Sequence, residues 1–484
     1  MRNEMIFIKQ PTTAVSACLL PYKLFLQKKT KPINRACITF FMFVTFCGSA
    51  FPTGWKAGTA ETVITPKEYI WMAGYAGRVR PAEGKIHDLW AKALALEDSL
   101  GNRAVLVTSD LLGFTAELSE KIREQLKKDL DLSKSQIILN ASHTHSGPVL
   151  KNALIDIYPI DVNLDKEIIA YTEWLQSCII RLVKKAFQDM RPAELYAGNG
   201  VTRFQANRRN NKEASIERQS DIKGPYDHAV PVIKVTDNEG HLKAIVFGYA
   251  CHPTTLNAYQ WCGDYPGFAQ IELNRIYKDA TVMFFQGACG DQNPMPRGTI
   301  PLAKQHGLSL AAAVDRMLHE NMKHLDPFLT MAYKEIDLPL TTPPDKEYLA
   351  QVERESSIPY FKRWAARLSK QLTEGRSLIT SYPYPIQIWN MGGQMLVSMG
   401  GEVVIEYAIG LKRKFGYDTF VMGYSNDVMA YIPSVKILRE GGYEGADSQK
   451  VYGLPSVWSE EVEAMIYREI EKLAMVVDPL KTSN

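Results

Sequence analysis

Cysteine is scarce in this sequence: seven residues in 484, three of them (Cys18, Cys37 and Cys47) within the first fifty. The other four, Cys178, Cys251, Cys262 and Cys289, form no close-spaced CxxC pair, which excludes a disulfide-stapled miniprotein. Cys251 and Cys262 could pair in an oxidising compartment, but buried free thiols are the plainer reading. Charge of one sign is also lacking. Lys and Arg total 56 against 53 Asp and Glu. The basic excess sits in residues 1–50, with seven Lys/Arg and one Glu, so the remainder carries −3. A nucleic-acid binder driven by bulk charge is excluded. No GxxxxGK[ST] string occurs, so there is no P-loop. Repeats, low-complexity tracts and long charge runs are absent too. With 46% hydrophobic and 23% charged residues, the composition is that of a globular chain rather than a disordered or collagen-like one.

The first fifty residues read as an export leader. Lys28, Lys29, Lys31 and Arg35 precede the apolar run 36–47, and Gly48-Ser49-Ala50 follows. Basic, apolar and small residues in that order are a secretory signal, and the run is shorter than the roughly 20 residues a membrane-spanning helix needs. A buried helix is the structural alternative. The expected organisation is therefore a leader over 1–50 and a body over 51–484, exported to the periplasm or secreted, with the mature chain starting near Phe51.

The body alternates strand and helix periods. Residues 104–108 form a β-type run. Leu118, Ile122, Leu126 and Leu130 then recur every fourth position as one face of a helix, and 136–141 returns to strand. A longer helix over about 166–188 places Ile168, Thr172, Leu175, Ile179, Leu182 and Ala186 on one face. A second unit follows as strand 243–250, helix 266–277 and strand 281–286. A third is strand 394–399, helix 403–415 and strand 419–424. The pattern predicts an α/β fold with mixed, partly parallel sheets and flanking helices. Residues 323–393 should add antiparallel strands and a helix near 346–372. A terminal helix is expected over about 459–476.

Open α/β sheets bind ligands beyond the carboxyl ends of their strands. Those ends collect the chemistry here: His143 and His145 after the strand ending at Ala141, His252 after Ala250, Gly287 to Asn293 after Gln286, Glu402 after Met399, and Asp427 and Tyr431 after Tyr424. Three of only nine histidines, with a carboxylate close behind, match the donor types of a catalytic metal, though any one of them alone would more often be structural. His306, His319 and His324 lie on or near a helical stretch and read as packing or surface residues. His87 reads as structural, with an outer role at the site as the alternative.

His143-Thr144-His145-Ser146-Gly147-Pro148 resembles the first metal motif of the neutral/alkaline ceramidase family. The resemblance continues in the family's order through Asn207-Arg208, His252-Pro253-Thr254, Gly290-Asp291, Gly401-Glu402, Tyr431 and Tyr443-Glu444-Gly445, over about residues 56–460. It implies zinc (Zn2+) held by His143, His252, Glu402 and Tyr431. It also implies His145 as acid/base, with Arg208 and Tyr443 contacting the substrate carbonyl or its oxyanion. Arg209 is an equally placed neighbour of Arg208. Asp110 or Asp291 is expected to orient a ligand histidine. The implied activity is zinc-dependent hydrolysis of the amide of ceramide or a related N-acyl lipid. The expected partner is a lipid or small-molecule amide, with peripheral membrane contact as an option and no nucleic acid.

Two departures bear on this. The family's Gly-Asp-X-Ser-Pro reads Gly290-Asp291-Gln292-Asn293-Pro294 here, so Asn293 stands where a serine is expected and is left to position substrate. Long members continue into a C-terminal sandwich domain, which a chain ending at Asn484 is expected to lack, so a smaller or more soluble substrate is an option. The competing readings are a metal hydrolase of another acyl amide or an ester, a non-catalytic binding protein on this scaffold, and a structural envelope protein. The glycine-rich strand ends argue against the last.

Overall fold

The computed structural model of the protein describes residues 54–218 and 221–478; the leader and its cleavage point lie outside the described residues. The larger of its sheets has nine strands. Eight follow in the order 281–286, 242–249, 229–236, 191–201, 55–63, 90–97, 103–109 and 137–141, and strand Lys323–Leu325 pairs with 191–201 off this path. A four-stranded sheet follows in the order 329–339, 381–391, 394–399 and 420–422.

The predicted strand–helix–strand units are where these sheets turn parallel. Strand 103–109 pairs parallel with 137–141, 242–249 with 281–286, and 394–399 with 420–422; every other pairing within the two sheets is antiparallel. Parallel neighbours need a crossover, and each crossover is one of the predicted helices: Ala116–Leu130, Asp264–Ile276 and Ile405–Phe415. The fold is thus mixed α/β with flanking helices.

Helix Ala116–Leu130 is capped by the Thr115 hydroxyl, which accepts from the Leu118 amide. It buries Leu118, Ile122 and Leu126 with Leu175, Ile179 and Leu182 of helix Val162–Gln188 against Val105, Val107 and Leu139 of the sheet. Each such side chain contributes about 1.5–3 kcal/mol on leaving water. A separate core joins the two sheets: Trp55, Leu94, Leu106 and Phe285 of the large one meet Trp389, Met391, Leu396 and Phe420 of the small one.

Two details differ from the sequence pattern. The expected helix near 346–372 is two, Lys346–Glu355 and Pro359–Thr373, because the residue before a proline is pushed out of helical backbone. The third crossover helix starts at Ile405 rather than 403, because Glu402–Val403 pairs as a short parallel strand with Tyr431–Ile432. His324, on strand Lys323–Leu325 just past the helix ending at Leu318, is the surface residue expected, paired with Glu194.

Candidate functional site

The carboxyl ends of the parallel strands are bound together by one segment. Residues 423–426 lie across them: the Ala141 amide donates to the Tyr424 carbonyl at 3.2 Å and the Asn426 amide to Leu139 at 2.7 Å. Asn140 completes the tie, accepting from the Gln286 amide at 2.9 Å and donating to the Gly423 carbonyl at 2.9 Å. Three strand ends from two sheets are thereby held at one place.

His143 sits just past this tie with a positive φ of 63°, a backbone conformation costly for a side chain with a Cβ. Its Nδ1 lies 2.6 Å from the Leu112 carbonyl. A carbonyl only accepts, so Nδ1 carries the proton and Nε2 presents a lone pair. His252 repeats the device, its Nδ1 being 2.7 Å from the Cys289 carbonyl and 3.1 Å from that of Gln292. Both Nε2 atoms face the same carboxylate oxygen, Glu402 Oε2, at 3.3 and 3.0 Å. Two imidazole lone pairs converging on a buried carboxylate oxygen repel unless a cation lies among them, and the set is right for a divalent metal. The Tyr431 hydroxyl is 3.5 Å from His252 Nε2, brought there by the Glu402–Tyr431 register of the short strand pair. Nε2 of His145 lies 3.2 Å from that of His143, and the imidazole ligand atoms of His143, His145 and His252 all fall within 4.8 Å of one another. These three histidines could hold a metal ion.

Electrostatics favour this state. Burial pushes His252 down to about 4 against the pull of Glu402. Burial and the neighbouring imidazoles hold His145 well below its ordinary value. Burial raises Glu402; what outweighs that and keeps it well below the usual carboxylate range is positive charge on the adjoining imidazoles, in the place a cation would take. His145 Nδ1 is buried without a hydrogen-bond partner among the described residues, so no second atom locks its tautomer. Tyr75 packs on its ring at a centroid distance of 4.8 Å, and Arg78 donates to its carbonyl at 2.8 Å.

The two candidate arginines share Glu444 and line the same groove but differ in their other contacts. Arg208 donates to the Tyr431 hydroxyl at 3.0 Å and to Glu444 at 2.7 Å, and its guanidinium lies over the Tyr431 and Tyr443 rings. Arg209 is tethered away, to Glu440, Glu444 and the Gly441 carbonyl. Asn293 accepts from Arg208 Nη1 at 3.4 Å. Tyr443, 44% exposed, stands at the rim. With Arg208, Asn293, Met295 and Arg297 it lines an open groove of about 580 Å³.

Some expectations are corrected. Neither Asp110 nor Asp291 touches a candidate ligand histidine; backbone carbonyls do that work. Asp110 accepts from the Trp90 amide, and Asp291 accepts from Asn207 and the Ile405 amide. Cys251 and Cys262, by contrast, are free, buried thiols, as the plainer of the two sequence readings has them. Cys262 Sγ sits 3.2 Å from His87 Nε2, so His87 has a packing role one layer away from the histidine cluster. Sequence reasoning passed over Tyr424 and Tyr452. The Tyr452 hydroxyl donates to Glu402 Oε1 at 2.5 Å, and the Tyr424 hydroxyl to Oε2 at 3.3 Å. Nothing in their spacing marks them, since both reach Glu402 through tertiary packing.

The model of the family described as neutral/alkaline non-lysosomal ceramidase, N-terminal, matches residues 55–303. The chain belongs to this family. The match carries His143, His145, Arg208, His252 and Asn293; Glu402, Tyr431 and Tyr443 lie beyond it. Neutral ceramidase B of Dictyostelium discoideum is 26% identical over 249 residues, 47% of this chain and 33% of that protein. The neutral ceramidase of Pseudomonas aeruginosa is 27% identical over 229 residues, 46% of this chain and 33% of that protein. These alignments span about a third of the curated relatives' length. The crystal structure of neutral ceramidase from Pseudomonas aeruginosa superposes with a TM-score of 0.66 at 18% identity, covering 89% of this chain and 75% of that one, which establishes a shared fold.

Proposed function

We propose that this ceramidase-family protein is a zinc-dependent amidohydrolase that cleaves the amide of ceramide or a related N-acyl lipid to a fatty acid and an amine. The observation that carries the reading is the convergence of two imidazole lone pairs, each fixed by a carbonyl, on one oxygen of Glu402. His143, His252, Glu402 and Tyr431 would hold the zinc. Such an ion supplies Lewis-acid polarisation of a carbonyl and acidifies a water molecule.

The chain's own residues do the rest. His145, kept neutral by burial and its neighbours, accepts a proton from water and returns it to the leaving amine. Arg208, anchored by Glu444, and Tyr443 at the rim hold the carbonyl oxygen as it gains charge; one such donor is typically worth about 2.7–4 kcal/mol. The Asn293 carboxamide, its oxygen turned to Arg208, keeps its N–H donors for the substrate. No protein nucleophile is needed at that position. Export through a 1–50 leader is part of the same reading. Among the described residues no helix is long and apolar enough to cross a membrane.

Metal analysis and turnover of N-acylsphingosine, other N-acyl amides and acyl esters by purified variants test the proposal. His143→Ala and His252→Ala should lose zinc and turnover together. His145→Ala should keep zinc and lose about 10²–10⁴-fold in turnover. Stoichiometric zinc in either of the first two variants overturns the ligand set. Zinc loss from the third makes His145 a ligand instead. Faster ester than amide cleavage would reassign the bond.

A further inference from the structure

A second cavity, of about 310 Å³, opens between the start of helix Ala116–Leu130, the segment 148–154 and residues 427–429. None of its lining residues belongs to the candidate zinc set, yet it lies one residue away: its wall includes Leu112, whose carbonyl holds His143, and Tyr452, whose hydroxyl holds Glu402. The wall is otherwise largely apolar, with Phe114, Leu150, Leu154 and Met429. Its volume falls at the small end of ligand pockets.

The charges lining it are of one sign. No Lys, Arg or His lines the cavity, whereas Glu117 and Asp427 do. Glu117 is compensated by Lys121 and Lys151. Asp427 is not: it is buried, takes the Tyr382 hydroxyl at 2.8 Å, and has no ion pair among the described residues. A buried carboxylate without a counter-charge is costly, and burial pushes this one up to about 7. An arriving cation would recover that cost. An arriving carboxylate would meet like charge.

We infer that this cavity binds a protonated long-chain primary amine, its ammonium on Asp427 and its tail on the apolar wall. Alkylamines are protonated at neutral pH, like a lysine side chain. An amphiphilic amine is also the product class of the proposed amide hydrolysis. Choosing a lipid amine among cations rests on that reading; the cavity and its uncompensated carboxylate do not.

Calorimetric titration of the full chain with dodecylammonium, below the concentration at which it forms micelles, tests the inference, with dodecanoate as the anionic counterpart. Saturable one-to-one binding of the amine is expected. Dodecanoate and the Asp427→Asn variant should each bind about tenfold more weakly or worse, as loss of a charge-assisted hydrogen bond implies. Ala153→Phe, which fills the cavity from its half-buried edge without touching Asp427, should weaken amine binding as well. Dodecanoate binding as tightly as the amine, or undiminished amine binding by folded Asp427→Asn, overturns the site. If Asp427→Asn fails to fold by circular dichroism, undiminished binding by Ala153→Phe overturns it. Binding is read without turnover. Amine binding without amide cleavage therefore refutes only the proposed function, and cleavage without amine binding refutes only this inference.

Discussion

Tyr452 shows how much of the site depends on a single hydroxyl. Burial, with Glu402 alongside, pushes its phenol well above the ordinary value, so it stays a donor. Its target is Glu402 Oε1, which leaves Oε2 alone facing the two histidines. Hydrogen bonds to the far side of a ligand fix its orientation and tune its basicity, and losing one typically costs about 10–100-fold in metal affinity. Tyr452→Phe should therefore bind zinc about 10–100-fold more weakly in competition with a chromophoric chelator. It should fold normally, because the ring's packing is kept. Unchanged affinity would show that Glu402 is oriented by the Tyr424 hydroxyl and its own backbone alone. The same scale also separates Arg208 from Arg209 by contact, which spacing could not do. Both reach Glu444, but only Arg208 also reaches the Tyr431 hydroxyl, while Arg209 goes on to Glu440.

At the scale of elements, what could be read early was whatever has a local period. The three strand–helix–strand units were legible because each helix repeats apolar residues every third or fourth position between short continuous apolar runs. Their strand ends then named His143, His145, His252 and Glu402. The short strand at Glu402–Val403 was not legible, because two residues carry no period; its pairing with Tyr431–Ile432 depends on a partner nearly thirty residues on. The Asn140 tie was equally hidden, because an asparagine inside an apolar strand gives no hint of which backbone groups it will satisfy. Its energetic weight is testable. The Gln286 amide lies at the end of an edge strand, and its hydrogen bond goes to the Asn140 carboxamide. Asn140→Ala leaves that buried N–H without its acceptor, which costs about 1–3 kcal/mol. Urea unfolding should show the loss in the midpoint with little change in slope. An unshifted midpoint would mean that the strand end relaxes to find another partner and that the tie is not needed to hold the site's strands together.

For the whole molecule, the placement of the site across both sheets has a thermodynamic consequence. His143 and His252 follow strands of the nine-stranded sheet, Glu402 follows a strand of the four-stranded sheet, and a shared core of Trp55, Phe285, Trp389 and Phe420 joins the two. On the proposed ligand set, an ion held by these three together would bind only when both sheets are formed and docked. Its binding free energy then stabilises the docked pair as a unit rather than either sheet alone. Free zinc at a hundred times its dissociation constant should add about 2.7 kcal/mol to unfolding. Scanning calorimetry of zinc-loaded and chelated protein should thus give one transition in each case, the chelated one at lower temperature. The shift should vanish in His143→Ala, His252→Ala and Glu402→Gln alike, although they sit on different strands and different sheets. A chelated protein that melts in two steps, with zinc moving only one of them, would show that the shared core does not couple the sheets. It would also place the ligands within a single cooperative unit, contrary to the geometry that brings Glu402 across to the two histidines.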